Sequence, residues 1–83
     1  MKIIINNVER RWLIMPLSMA RKGESNVIKK VGGKDEIKRF LGNIGFVVGA
    51  AVTVISEMKG NMIVEIKDSW VAIGKDMANK IIV

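Results

Sequence analysis

KDEIKRFLGNIGFVVGAAVTV (residues 34–54) reads as one amphipathic helix stopped by glycine and delivered into a strand. Ile37, Phe40, Leu41 and Ile44 recur at the spacing that lines one helix face, and Lys38, Arg39, Gly42 and Asn43 fall on the other. Asp35 and Glu36 sit where the first turn favours negative charge, and Asp35 is also placed to cap free N–H groups. Gly45 follows the last periodic residue, where a left-handed C′ position is wanted, and Phe46 is placed to pack back onto the last turn. Gly49 marks a further turn, after which Ala51-Val52-Thr53-Val54-Ile55 opens as a β-strand.

Outward from this stretch, the sequence is punctuated by turns. Pro16 stands where a strand begins, with Leu17 and Met19 alternating with Ser18 and Ala20. Arg21 to Ser25 reads as a turn. Asn26 to Val31 reads as a strand with Val27, and Val31 with it, facing inward, ended by Gly32-Gly33. Beyond the helix, Ala51 to Ser56 and Met62 to Lys67 form a hairpin about Lys59-Gly60-Asn61. On the return strand Met62, Val64 and Ile66 share one face, and Ile63, Glu65 and Lys67 the other. Asp68-Ser69 turns the chain into Trp70-Val71-Ala72-Ile73, whose inward positions read as Val71 and Ile73. A short helical turn follows at about 75–79, before Ile81-Ile82-Val83. The expected architecture is mainly β: a small barrel of about five short antiparallel strands with one amphipathic helix at about 35–44.

Residues 1–14 stand apart from this pattern. Ile3-Ile4-Ile5 and Trp12-Leu13-Ile14 read as two short strands around a polar turn. They are either an added edge strand or a leader ahead of an alternative start at Met15. The domain proper is expected to span residues 15–83.

Composition excludes more than it selects. The 83 residues contain no cysteine and no histidine, which removes disulfides, thiolate metal sites, the usual general base near neutral pH and the commonest transition-metal ligand. No loop has the alternating acidic spacing of a hard-cation site, so no metal and no cofactor is expected. Fourteen Lys and Arg against eight Asp and Glu give a charge of +6, which suits an acidic protein, a nucleic acid or an anionic membrane surface. The apolar run from Phe46 to Val52 is too short to cross a bilayer, and the amino end lacks the form of a signal peptide. A cytoplasmic location follows by default. Gly32-Gly33-Lys34 lacks the spaced first glycine and following hydroxyl of a phosphate-binding loop.

In its ordered elements the chain resembles the ferrous iron transport protein A family, the small cytoplasmic component of the Feo iron uptake system. The residues that carry the resemblance are Pro16-Leu17-Ser18, Gly23, Phe40-Leu41, Ile44-Gly45-Phe46, Gly49, Val52-Thr53-Val54-Ile55, Gly60, Val71-Ala72-Ile73, Ala78, Ile81 and Val83. Val48 stands where family members often have proline, and residues 1–14 lie outside the common pattern. The resemblance implies an SH3-like barrel and a non-catalytic accessory role in ferrous iron uptake. It also implies a partner, the large membrane protein with a GTPase domain that moves Fe²⁺, which would place the chain at the inner membrane through that partner.

Two groups of residues are candidate partner contacts. Lys29, Lys30, Lys34, Lys38 and Arg39 form a basic group that is either a solvated strand edge and helix face or a docking surface for acidic protein or anionic lipid. Trp70 beside Lys67 either anchors an interface or covers an open end of the barrel. Phe40 and Phe46 are expected in the core, leaving only Trp12 and Trp70 for base stacking, which counts against nucleic acid. Two alternatives stand beside the accessory role: a free-standing barrel that binds nucleic acid, and a relic of the carboxy-terminal barrel of a metal-dependent repressor. Self-association is left open.

Overall fold

Two tight turns in left-handed backbone organise the sheet. Lys59 (φ 46°) and Gly60 (φ 82°) form one, Lys67 (φ 50°) and Asp68 (φ 62°) the other. Positive φ at both central residues is the requirement of a type I′ hairpin, whose twist matches that of the strands it joins. The computed structural model describes residues 14–83. There the turns link three strands, β3 (Ala51–Met58), β4 (Asn61–Ile66) and β5 (Ser69–Gly74). The turns therefore lie one residue earlier than expected. Asn61 is the first residue of β4 and Ser69 the first of β5.

Earlier in the chain come a 3-10 turn (Leu17–Met19), β1 (Ser25–Val27), β2 (Lys30–Val31) and the helix α1 (Asp35–Ile44). After β5 come one helical turn, α2 (Lys75–Ala78), and β6 (Ile81–Ile82). The sheets are a four-stranded one in the order β1-β3-β4-β5 and a two-stranded one pairing β2 with β6, all antiparallel. The fold is mainly β and SH3-like. The expectations for residues 1–13, including Trp12, lie outside the described residues.

The inner face of the four-stranded sheet supplies Val52, Val54, Met62, Val64, Ile66 and Ile73 to the core. Leu17, Ile28, Leu41, Phe46, Ala78, Ile81 and Val83 close it from the other side. Met15 and Val83 exchange backbone hydrogen bonds at 3.0 and 2.8 Å, so the two ends of the described segment are tied together.

Three expectations are corrected. Leu17 to Met19 is a 3-10 turn that buries Leu17, not a strand. The single strand over 26–31 is two strands in different sheets, and the break turns Val27 outward (52% exposed) and buries Ile28. Ile28 donates its N–H to Ala50 and Lys29 donates to Ile82, so the chain changes partner between adjacent residues. Phe40 is not in the core. It is 51% exposed, because α1 meets the core along a narrow strip of Ile37, Leu41 and Ile44, of which only Leu41 is fully buried. At roughly 100° per residue, Phe40 is carried to the margin of that strip.

The helix ends as expected. The Phe46 N–H donates to Leu41 and the Gly45 N–H to Gly42, at 2.9 and 3.1 Å, the paired bonds of a Schellman motif with Gly45 at φ 127°. It begins differently. Lys34 holds the N-cap position and no side chain caps it; Asp35 is the first helical residue and acts through its charge alone. The difference in burial within the helix has a measurable consequence. Leu41→Ala is expected to cost about 2–5 kcal/mol in urea unfolding, whereas Phe40→Ala costs less than about 1 kcal/mol.

Candidate functional site

The proposed contact residues divide between two surfaces. Lys30 lies on β2, Lys29 just before it, Lys34 at the start of α1, and Lys38 and Arg39 within α1; all five are exposed. Lys34 and Lys38 are one helical turn apart, and the Lys38 N–H donates to the Lys34 carbonyl at 2.9 Å. Among the described residues the only salt bridge joins Lys75 on α2 to Glu57 on β3. None of the five cations is therefore neutralised by a neighbour among them.

Lys80 completes this surface and is not singled out by the sequence. Its Nζ donates to the carbonyl of Asp76 (3.4 Å), and its carbonyl accepts from Gly32 at 2.7 Å. Its aliphatic stem crosses Gly33 so closely that a Cβ there would meet Cδ at 3.0 Å. The stem packs as apolar surface while the charge stays in water. Forty-seven positions separate Gly33 from Lys80, and only the pairing of β2 with β6 brings them together.

Trp70 occupies the other surface. It points away from the core on β5, 68% exposed, directly opposite Glu65 on β4. The ring faces solvent rather than covering an end of the core. Glu65 in turn faces Thr53 on β3. The pairing of Trp70 with Glu65 is legible in principle, since it follows from placing the turn at Lys67-Asp68.

Lys67 is not simply the neighbour of Trp70. From its left-handed turn position its stem lies over Gly45, where an added Cβ would approach the Lys67 Cδ at 3.2 Å and Ile66 Cγ1 at 3.3 Å. It thus brings a positive charge to the carboxy-terminal end of α1, whose last turn carries no basic residue of its own. Thr53, Glu65, Lys67 and Asp68, with Ala50 and Ala51, line a shallow open depression beside it.

No polar or charged side chain is buried among the described residues. No group of three or more His, Cys, Asp or Glu within them is disposed to hold a metal ion. No helix described is long and apolar enough to cross a membrane.

Comparison with known proteins agrees with this fold. Residues 15–83 match the FeoA domain family. The chain is 34% identical over 68 residues to a candidate Fe(2+) transport protein A of Methanocaldococcus jannaschii, covering 82% of this chain and 83% of that protein. Its backbone is similar to the crystal structure of an iron uptake regulatory protein, FeoA, with a TM-score of 0.78, 27% identity, and coverage of 84% of this chain and 95% of the other. It is also similar to a zinc complex of FeoA from Stenotrophomonas maltophilia, described as a prokaryotic SH3 domain protein. That match has a TM-score of 0.71, 25% identity, and coverage of 81% and 86%.

The exposure of Trp70 is directly measurable. In a Trp12→Phe variant, which leaves Trp70 as the single indole, emission is expected at the solvent-exposed position and strongly quenched by acrylamide. Blue-shifted, poorly quenched emission would show the ring to be covered.

Proposed function

Since this chain belongs to the FeoA domain family, we propose that it is a non-catalytic accessory and regulatory module of ferrous iron uptake. It acts by touching the cytoplasmic domain of a membrane GTPase that moves Fe²⁺, and it sits at the inner membrane only through that partner. The observation that carries this reading is the unneutralised basic surface of β2 and α1, where Lys29, Lys30, Lys34, Lys38 and Arg39 stand exposed without an ion pair among the described residues. An array of this kind steers an acidic partner and sets its orientation more than it adds raw affinity.

Catalysis by this chain itself has little to draw on. Without histidine or cysteine, and with no buried polar side chain among the described residues, no activated nucleophile–base pair is in view. Regulation through contact needs none.

Titration of the full chain against the cytoplasmic GTPase region of its own genome's transporter tests the proposal. Binding is expected to weaken with added salt. Lys38→Glu together with Arg39→Glu is expected to lower affinity about tenfold, a loss of about 1.4 kcal/mol, with unchanged unfolding. Absence of binding and of any effect on GTP hydrolysis would overturn the proposal. Binding to oligonucleotides that falls steeply with salt would replace it with nucleic-acid recognition.

A further inference from the structure

Among the described residues, the outer edge of β5 is an unprotected strand edge, and its sequence is complementary to itself. β5 pairs with β4 on one side, and no described strand lies on the other. Because Lys67-Asp68 is a two-residue turn, Ile66 and Ser69 flank it and share the turn's own hydrogen bond. Antiparallel pairs alternate between bonded and non-bonded. Val71 and Ile73 therefore direct their backbone groups to β4, and Trp70 and Ala72 direct theirs outward. No hydrogen bond outside the strand ladders reaches the Trp70 or Ala72 N–H among the described residues. Gly74 is spent differently, since as N-cap of α2 its carbonyl faces the helical turn.

Strand edges are ordinarily blunted by lysine, proline, a bulge or shortness. Ser69 to Ile73 has no charge and no proline, and the only register shift in the described sheet lies between β3 and β4. The opposite edge differs: β1 has three residues and is followed closely by Lys29 and Lys30.

We propose that β5 pairs antiparallel with β5 of a second copy, with Trp70 opposite Ala72 of the other copy and the two-fold axis at Val71. In this register both outward residues of each copy form complete two-bond pairs. The indole of each Trp70 lies over the small side chain of Ala72 across the axis. The two indoles are diagonal neighbours, within reach of each other at about 7–8 Å between positions. In this register Lys67 of one copy falls opposite Lys75 of the other, and the Lys75 charge is already paired with Glu57 of its own chain, so the ends carry little net repulsion. The unneutralised basic group lies on β2 and α1, which do not pair with β5. An unrelated extended peptide would satisfy the same edge groups, but it would not supply the matched tryptophan and alanine on both strands. A strand-edge contact buries less than the roughly 1,200 Å² of a standard interface, so the dimer is weak and concentration-dependent.

The full chain's mass across a concentration series in sedimentation equilibrium tests this. A monomer–dimer equilibrium is expected between about 1 μM and 1 mM. Ala72→Pro removes an outward N–H and no bond to β4, and is expected to weaken dimerisation at least tenfold while the circular dichroism spectrum is retained. Because the chain contains no cysteine, the Val71→Cys variant carries a single thiol, placed at the axis. Mild oxidation is expected to convert it to a disulfide dimer much faster than the Ser25→Cys variant, whose thiol lies on the far edge. Added salt leaves this association intact or strengthens it, which separates it from docking through the basic face. A monomer up to about 1 mM, or cross-linking of the Val71→Cys variant no faster than that of Ser25→Cys, overturns the proposal.

Discussion

The burial of one face of β4, and of one face only, is the constraint on which the rest of this molecule depends. β4 is an interior strand, bonded to β3 on one side and β5 on the other. Met62, Val64 and Ile66 are all at most 1% exposed, while Ile63 and Glu65 between them face the other way. A slip of one residue would turn this whole stripe to solvent, so the register is strongly specified. The I′ turns at both ends of β4 hold the same register from outside, since each leaves no freedom in which residues face one another. With no disulfide available, the fold of this short chain rests on that packing.

Function, on this account, is what the packing leaves outside. The inward stripe leaves the alternate positions of β4 and β5 outside, so Glu65, Trp70 and Ala72 share a face, and Trp70 and Ala72 also lie at the sheet's edge. The helix, touching the core through little more than Leu41, keeps its charged side in water next to β2. The result is two separated surfaces of different character, one basic and one aromatic. Lys67 is the exception that links them, reaching from the β4–β5 turn to the end of α1.

Much of this is legible in the sequence, residue by residue. The helix bounds at Asp35 and Ile44, the Gly45 stop with Phe46 folded back, and the inward set on β4 all follow from periodicity and from glycine's tolerance of positive φ. Composition places the two turns a residue late, because Gly60-Asn61 and Asp68-Ser69 are made of turn-forming residues. The residues with left-handed backbone include Lys59 and Lys67, which local propensity would not choose. Phe40 and Val27 are misplaced for a shared reason: hydrophobicity and spacing rank a residue as apolar, but not as covered. For the candidate site, the five basic residues of β2 and α1 are exposed as a solvated face requires. Lys80 gives no local signal, whereas the inward reading of Val71 and Ile73 already turns Trp70 outward by alternation.

The sequence alone determined the elements and the inward stripes, because helix and strand periods and glycine backbone freedom are local properties of consecutive residues. It also bounded the chemistry, since the absence of histidine and cysteine needs no coordinates. Only the tertiary structure decided which apolar side chains are covered, where the strand over 26–31 breaks between two sheets, and that Gly33 meets Lys80 and Gly45 meets Lys67. Those outcomes depend on pairing between strands distant in the chain, and such pairing is chosen by the collective fit of the core rather than by any one segment.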